Sequence, residues 1–286
     1  MNGPIPRKRL VVALAVGLVM IAAYVTFVRW QSAGYVVNTD ALLAGFLVGM
    51  LAQFVDGALG MAYGVTASTF LLTTGASPAV ATAAVHMAEI FTTGASGLSH
   101  WRFGNIDRHL FRRLVIPGII GAGIGVFIVT GLDGATIKPY IGTYLGLMGV
   151  FLVARAAWRI ALPVNMRWGT PVVGFVGAFV DTIGGGGWGP VVTTTLLGTG
   201  HEPKEVIGSV SAAEFFITVV SGVALAFIVT VEAWETVAGL IAGGMVMAPV
   251  AAYVAGKLPK RILMAVVGCL IIGLNYCNIL KVLGLA

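Results

Sequence analysis

The segment Asp181-Thr-Ile-Gly-Gly-Gly-Gly-Trp-Gly-Pro190 combines residue types that could bind a small anion. Four consecutive glycines do not form a stable helix interior, because each costs about 1 kcal/mol relative to alanine. Pro190 suits the first turn of a following helix, where its missing amide hydrogen costs nothing. Such a helix start presents free amides and a positive dipole end to an anion. The alternative interpretation is a tight bend that lets helices pack closely.

The segment Asp56-Gly-Ala-Leu-Gly-Met-Ala-Tyr-Gly64 repeats this design in the first half of the chain. A shift of 125 positions places Asp56 on Asp181, Tyr63 on Trp188 and Glu89 on Glu214 without a gap. Apolar composition could match leucines and glycines by chance, but it does not readily match acids in one register. We therefore interpret the chain as an internal duplication, which is a frequent feature of transporters.

Glycines, aromatic residues and hydroxyl side chains at and after the two breaks are the candidate anion-binding residues. Backbone amides and hydroxyls can donate to an oxyanion, whereas threonine in a membrane helix can also bond back to its own helix. Both roles stay open at this point. The candidates are Gly60, Met61, Ala62, Tyr63, Gly64, Thr66, Thr69, Gly184, Gly185, Gly186, Gly187, Trp188, Gly189, Thr193, Thr194 and Ser211.

Four carboxyl groups lie in or beside the apolar segments. Glu89 and Glu214 are well inside such segments, where a carboxylate costs about 2.5–3.5 kcal/mol. His86 shares a helix face with Glu89. One hypothesis is proton or ion coupling through Asp56, His86, Glu89, Asp181 and Glu214. The alternative is structural, since an aspartate can accept amide hydrogen bonds at a helix start and a buried glutamate can be hydrogen-bonded.

Composition places all these residues in a membrane protein. Of 286 residues, 58% are hydrophobic and 10% are charged, whereas soluble domains carry about 25% charged residues. Long uncharged runs, such as 10–28 and 114–132, approach the roughly 20 residues that a spanning helix needs. The net charge of +6 comes from clusters between these runs, a pattern typical of cytoplasmic loops and not of nucleic-acid binding.

The apolar segments predict an all-α, polytopic membrane protein with two inverted repeats and an extra N-terminal span. We expect an N-terminal part at 1–38, a first repeat at 39–165 and a second repeat at 166–286. The extra span is 10–28. Each repeat has two short segments and three spans: 41–56, 61–74, 79–99, 114–132 and 138–158, then 170–181, 190–199, 205–230, 236–256 and 261–284.

Basic residues predict the orientation of these spans. The clusters at 7–9, 102–113, 155–167 and 257–261 would be cytoplasmic, together with the N-terminus. Equivalent spans of the two repeats then run in opposite directions, and the two breaks should approach each other from opposite sides. Charge does not decide whether the short segments are re-entrant or cross the membrane.

Signals of other functional classes are absent from the sequence. We find no Walker loop, no nucleophile elbow and no His/Cys metal spacing. We therefore expect no enzyme activity, no cofactor and no metal. Cys269 and Cys277 would lie about 12 Å apart on one helix, which is too far for a disulfide. The oligomeric state, including a homo-oligomer, is left open.

Three motifs carry a resemblance to a known family. They are Gly-Phe-Val-Gly-Ala-Phe-Val-Asp-Thr-Ile-Gly-Gly-Gly-Gly-Trp-Gly-Pro (174–190), Gly-Ser-Val-Ser-Ala-Ala-Glu-Phe-Phe (208–216, preceded by Gly-His-Glu-Pro at 200–203) and Phe-Val-Asp-Gly-Ala-Leu-Gly-Met-Ala-Tyr-Gly (54–64). On these motifs the chain resembles the TauE/SafE family of sulfite exporters. The resemblance implies a permease for sulfite or an organosulfonate in the cell inner (plasma) membrane, surrounded by lipid and working by alternating access. Met61 and Ala62 depart from the glycines at the equivalent positions 186 and 187.

Two alternative functions fit the same residues. A passive anion channel would use the same breaks without alternating access. A cation or proton-coupled carrier would instead use Asp56, Asp181, Glu89 and Glu214.

Overall fold

Helices and short connections make up the described part of the chain. The computed structural model describes residues 37–102, 104–158, 166–197, 203–231, 233–254 and 260–282, so the predicted span at 10–28 lies outside the described residues. The helices are α1 (Thr39–Leu59), α2 (Tyr63–Thr73), α3 (Pro78–Arg102), α4 (Arg108–Gly131), α5 (Gly134–Ala157), α6 (Met166–Gly184), α7 (Thr194–Leu197), α8 (Pro203–Ile228), α9 (Trp234–Val254) and α10 (Lys260–Val282).

Two breaks interrupt this helical pattern where the glycine-rich segments predict them. The first break, residues 60–62, separates α1 from α2. The second break, residues 185–188, separates α6 from a π-helical turn at Gly189–Thr193, which leads into α7. Pro190 lies in the first positions of that turn, as its missing amide hydrogen predicts.

Four described segments are long and apolar enough to cross a membrane, and they confirm the polytopic all-α fold. Large apolar side chains cover their outer surfaces; Phe127 is 79% exposed and Phe227 is 89% exposed. Such surfaces suit lipid tails and would be unfavourable in water. The four segments are Thr39–Gly57, Arg108–Gly131, Gly134–Ala157 and Glu205–Ile228.

One span starts earlier than its apolar run predicts. The sequence places the start near residue 114, but α4 begins at Arg108. The side chain of Asp107 accepts hydrogen bonds from the amides of His109 and Leu110, so it caps the helix ahead of the apolar run. Basic residues therefore occupy the first turns of α4.

Equivalent helices of the two predicted repeats pack antiparallel. This holds for α3 with α8 and for α5 with α10: as residue numbers rise on one helix, they fall on its partner. If the two repeats were related by a symmetry axis along the membrane normal, equivalent helices would run parallel. Their antiparallel packing is therefore what an inverted arrangement predicts. The contacts are Gly94 with Phe215, Gly97 with Ala212, Gly142 with Asn278 and Gly149 with Gly268.

The helices before the breaks pack parallel to a span of the other predicted repeat. Along α1, Gly45 contacts Thr236 and Gly57 contacts Ala251, so α1 and α9 run in the same direction. In the same way, Gly121 and Gly125 of α4 pack against α6. Because a Cβ at Gly121 would lie 2.3 Å from the carbonyl oxygen of Phe175, this contact requires glycine.

The pair α1–α2 forms a re-entrant hairpin. With 11 residues, α2 is about 16 Å long, about half of a bilayer core. After α2 ends, the carbonyl of Ala76 accepts from Lys138 at the start of α5. The start of α1 packs beside the start of α9, and α9 begins just after α8 ends. Because α8 is antiparallel to α3, the end of α8 lies on the same face as the start of α3, which directly follows α2. Both ends of the hairpin therefore lie on one face of the bundle.

The pair α6–α7 enters from the opposite face. Helix α6 runs parallel to α4, and Gly174 near its start packs on Leu114 near the start of α4. The side chain of Arg155, in the last turn of α5, reaches Thr194 at the start of α7. The end of α5 and the start of α4 share one face, because α4 and α5 are antiparallel neighbours in the chain. The structure thus favours re-entrant short segments over segments that cross.

Two substitutions on α4 test the packing of α4 against α6. Gly121→Val would place side-chain atoms on the α6 backbone, and we expect a lower melting temperature, since overpacking costs about 1–3 kcal/mol. Gly123→Val is the matched control, because a Cβ at Gly123 meets nothing within 4 Å. Thermal unfolding of the detergent-purified variants would measure this, and equal melting temperatures would contradict the contact.

Candidate functional site

The predicted site residues occupy the two breaks and the elements that adjoin them. The breaks hold Gly60, Met61, Ala62, Gly185, Gly186, Gly187 and Trp188, and Gly184 ends α6. Tyr63, Gly64, Thr66 and Thr69 lie on α2, Gly189 and Thr193 in the π turn, and Thr194 on α7. The candidate coupling residues are Asp56 on α1, His86 and Glu89 on α3, Asp181 on α6 and Glu214 on α8, the helix that also carries Ser211.

The two hairpins touch through backbone atoms at their tips. A Cβ at Gly64 would lie 2.8 Å from the Cα of Gly186, and a Cβ at Gly189 would lie 2.7 Å from the Cα of Met61. Real Cβ atoms do not approach other atoms this closely, so glycine is required at these points. The two breaks therefore meet inside the protein, as the inverted arrangement predicts.

The chain turns sharply at each break. Gly60 and Gly185 have φ angles of 71° and 66°, in the left-handed region that glycine adopts readily. Ala62 has a φ of 88°, the one positive value for a non-glycine residue among those described. This conformation costs an L-residue about 1–2 kcal/mol. The first break thus has an alanine in a strained conformation at the position that is equivalent to Gly187 in the second break.

An aspartate supports each break at the equivalent position. The Asp181 Oδ1 accepts from the backbone amide of Trp188 at 3.0 Å. The carboxyl of Asp56 likewise accepts from the backbone amide of Tyr63. Both aspartates therefore have the local structural role that the sequence offers as one of two alternatives.

The aromatic residues of the two breaks are anchored in the protein. Trp188 is fully buried, and its Nε1 donates to the carbonyl of Val210 at 3.3 Å. The hydroxyl of Tyr63 donates to the carbonyl of Leu240 at 3.3 Å. Because their polar atoms are engaged, these side chains could meet a ligand only through their ring surfaces.

Hydroxyl groups from three different helices bind the carbonyls in and before the second break. This arrangement satisfies buried acceptors that would otherwise cost about 1–3 kcal/mol each. The backbone amide of Gly186 is also engaged, with the carbonyl of Asp181 at 3.1 Å. The donors are Ser68 to Gly185, Tyr144 to Gly186 at 2.8 Å, and Thr82 to Thr182 at 2.8 Å.

A buried cluster of carboxyls and one histidine adjoins the crossing. One ring nitrogen of His86 and one carboxyl oxygen each of Glu89 and Asp181 lie within 4.8 Å of one another. All three side chains are buried. Glu89 Oε1 is 3.1 Å from the position of a Cβ at Gly64. Asp56, Glu89, Asp181 and Glu214 are close enough to interact electrostatically. In the part of the chain described here, none of them pairs with lysine or arginine.

A cation stands at one edge of the crossing. Arg155 is half-buried; its guanidinium donates to Thr194 Oγ1 and lies 3.9 Å from Met61 Sδ. Met61 belongs to the first break and Thr194 follows the second, so the guanidinium touches both hairpins. Among the described residues, no carboxylate forms an ion pair with it.

Four buried polar atoms have no hydrogen-bond partner in the described parts of the chain. They are Gln53 Oε1, Thr66 Oγ1, Glu89 Oε2 and Thr193 Oγ1. Unpaired buried polar groups are rare in proteins and need an explanation, such as a bound ligand or water. One of them, Thr193 Oγ1, belongs to the residue that directly precedes Thr194, which accepts from Arg155.

The comparisons with known proteins identify the family. Residues 44–276 match the model of the sulfite exporter TauE/SafE family. The chain belongs to the TauE/SafE family. It is also 40% identical over 246 residues to the probable membrane transporter protein YtnM of Bacillus subtilis (strain 168), a match that covers 82% of this chain and 81% of that protein. No solved structure matches the chain significantly. The protein is therefore a multi-pass membrane transporter.

Some of the predicted contacts of this TauE/SafE protein are otherwise engaged. Thr69 Oγ1 accepts from Asn275 on α10 at 3.1 Å, which is a helix-packing bond. The amides of Gly186 and Trp188 both donate to Asp181. The second break therefore offers fewer free amides to a ligand than its glycine content predicts.

Sequence reasoning missed Arg155 and Tyr144 as parts of this site. Arg155 was assigned to a cytoplasmic cluster, although the predicted span 138–158 contains it. Tyr144 lies in the middle of the same span, where a buried phenol needs a hydrogen-bond partner. Gln53, whose buried Oε1 has no partner, was also missed; it is the one amide side chain in the apolar segment 41–56. A polar group inside an apolar segment was the available signal in each case.

A cavity of about 800 Å³ lies away from the crossing, between α3, α4 and α8. Its lining is mostly apolar and includes Trp101, Arg108, Arg112 and Phe215. None of the break residues lines it, so the cavity is distinct from the candidate site.

Removing one hydroxyl tests the support of the second break. Tyr144→Phe leaves the buried carbonyl of Gly186 without its donor, at a cost of about 1–3 kcal/mol, so we expect a lower melting temperature. Tyr140→Phe, at an exposed position on the same helix, is the matched control and should melt like the unmodified protein. If thermal unfolding shows no difference between the two variants, Tyr144 does not support the break.

Proposed function

We propose that this protein transports a small sulfur oxyanion, sulfite or an organosulfonate, across the cell inner membrane. Transport proceeds by alternating access of the inverted repeats, 39–165 and 166–286. The observation that carries this proposal is the contact of Arg155 with both hairpins where the two breaks meet. The family name adds support, because it denotes sulfite exporters.

The chemistry of Arg155 suits this substrate. Guanidinium has five donors in a planar fork, and such forks bind oxyanions through two parallel hydrogen bonds. Sulfite and sulfonates both present three oxygens on one sulfur. Thr193 Oγ1 is buried without a partner, and the side chain of this residue lies beside Gly60 of the first break, so it is a further candidate hydroxyl donor.

Charge favours the Arg155 edge of the crossing over its centre. Four carboxyls lie close together there, and each one that is ionised would repel an anion. At the Arg155 edge, Met61 and Thr194 bring both hairpins to the cation. We therefore place the anion beside Arg155, within reach of the breaks, and not midway between them as the glycine pattern alone predicts.

The two hairpins provide a route for alternating access. From the crossing, α2 leads to one face of the bundle and α7 leads to the other. At their tips, the glycine backbones at Gly64 and Gly186 are in direct contact, and in the proposed mechanism this contact is where one repeat shifts against the other. Such a shift would open the anion site first to one face and then to the other.

A second candidate is a cation carrier. The buried carboxyl cluster around His86 favours it, because no lysine or arginine neutralises these groups among the described residues. Such a carrier would show saturable cation flux and no sulfite flux. A passive channel would instead show flux that is linear in voltage and does not saturate.

Flux measurements in proteoliposomes test the proposal. Purified protein should take up radiolabelled sulfite with saturation, and unlabelled organosulfonate should compete. A linear dependence on concentration, or no uptake above protein-free vesicles, would refute a sulfite permease.

Variants of Arg155 test the position of the anion site. Arg155→Gln should lower sulfite flux at least tenfold, since hydrogen bonds to charged groups contribute about 1.5–3 kcal/mol. Arg155→Lys should keep part of the flux, because it keeps the charge but not the fork. Arg112→Gln, at an exposed position on α4, is the matched control and should leave flux unchanged. Equal flux in the two glutamine variants would exclude Arg155 from the site.

A further inference from the structure

The partners of His86 determine which ring nitrogen carries hydrogen. Nδ1 lies 2.8 Å from the carbonyl oxygen of Thr82 and 3.1 Å from the hydroxyl oxygen of the same residue. A carbonyl can only accept. The Thr82 hydroxyl donates its own hydrogen to the carbonyl of Thr182, so it too accepts from the ring. Both contacts therefore place a hydrogen on Nδ1.

The other ring nitrogen faces a carboxyl group. His86 Nε2 is 3.2 Å from Asp181 Oδ2, and both side chains are buried. With hydrogen on Nδ1, a neutral imidazole has a lone pair on Nε2, and that lone pair would repel a carboxylate oxygen. One proton must therefore lie between the two atoms, either on the imidazole or on the carboxyl. The pair binds one proton more than a neutral histidine beside a carboxylate.

We propose that the His86–Asp181 pair binds the proton that couples to anion transport, and that Glu89 exchanges this proton with the path to one face. This inference rests on the proposed function. Glu89 Oε2 is buried without a partner, and a carboxyl oxygen of Glu89 lies within 4.8 Å of both members of the pair. In the transfer, the proton leaves the pair and binds a Glu89 carboxylate oxygen. The pair is left as a neutral imidazole beside a carboxylate.

The groups around the pair favour this role. Facing it are the carboxyls of Glu89 on α3, Asp56 on α1 and Glu214 on α8. The hydroxyls of Tyr63 on α2 and Tyr144 on α5 are also near these acids. No lysine or arginine pairs with them in the described ranges, so no fixed cation takes the place of the proton at the pair.

The proton is linked to the conformation of the second break through Asp181. Oδ1 of this residue accepts from the amide of Trp188, while Oδ2 faces His86. When the proton leaves, Oδ2 and Nε2 repel each other, and the movement of the carboxyl weakens its bond to Trp188. Protonation thus changes how firmly the second break is held. The position equivalent to His86 is Ser211, so the first break lacks this proton site.

The experiment separates exchange from coupling. Counterflow of labelled sulfite at equal pH reports exchange alone, whereas accumulation driven by a pH gradient and sulfite-evoked pH change inside the vesicles report coupling. His86→Gln should keep counterflow within about twofold, while gradient-driven accumulation and the evoked pH change should fall at least tenfold. His109→Gln, at an exposed position on α4, is the matched control and should behave like the unmodified protein.

A second variant covers the case in which His86→Gln does not fold. Glu89→Gln removes the proton acceptor and keeps a side chain of the same size, and we expect the same selective loss of coupling. Chelator-treated protein must keep its flux, since a loss would mean that a metal ion, and not a proton, bridges His86 and Asp181.

The outcomes are distinct. If the unmodified protein shows no sulfite counterflow, the proposed function fails and this inference fails with it. If counterflow occurs but sulfite evokes no pH change, only the inference is overturned. It is also overturned if His86→Gln accumulates sulfite like the unmodified protein, or if a folded His86→Gln variant loses counterflow as well.

Discussion

The arrangement of this transporter depends on a direct backbone contact between the tips of its two hairpins. Gly64 and Gly186 approach so closely that a single methyl group would separate the hairpins. Irregular backbone inside a membrane is stable only where protein or water forms hydrogen bonds with its polar groups. Here Asp56 and Asp181 bind amides, and hydroxyls of neighbouring helices bind carbonyls. The breaks are therefore rigid, hydrogen-bonded crossings and not open loops.

Opposite charges are kept apart around this crossing. His86, Glu89 and Asp181 form one buried cluster, whereas Arg155, in the last turn of α5, contacts Thr194 and Met61 and forms no ion pair with an acid among the described residues. If the cation paired directly with an acid, both would be neutralised, and neither an anion nor a proton would have a distinct site. In the mechanism proposed here, this separation lets one small region bind a negative substrate and a coupling proton at the same time. Each site is connected to a break: Arg155 contacts Met61 of the first break, and Asp181 of α6 accepts from the amide of Trp188 in the second.

Much of the fold could be predicted from the sequence, because membrane helices are long apolar runs and the duplication preserves acids in register. The match of Asp56 with Asp181 locates both breaks, and the basic clusters predict the opposite directions of α3 and α8, although not that these helices pack against each other. The start of α4 was misplaced, because a cap at Asp107 extends the helix beyond its apolar run. The site was harder to predict. Contacts such as Tyr144 with Gly186 join residues that are distant in sequence, and a single sequence holds no signal for that distance.

The duplication is geometric, but its chemistry is not duplicated. His86 is equivalent to Ser211, and Arg155 is equivalent to Leu280. In an inverted-repeat carrier with identical halves, the inward-open and outward-open forms would be related by the two-fold axis in the membrane plane and equally stable. Here the imidazole and the guanidinium both belong to the first half, so the two forms place these groups in different surroundings. If transport proceeds by the proposed alternating access, we therefore expect the empty carrier to prefer one resting form and its two directions of transport to proceed at unequal rates.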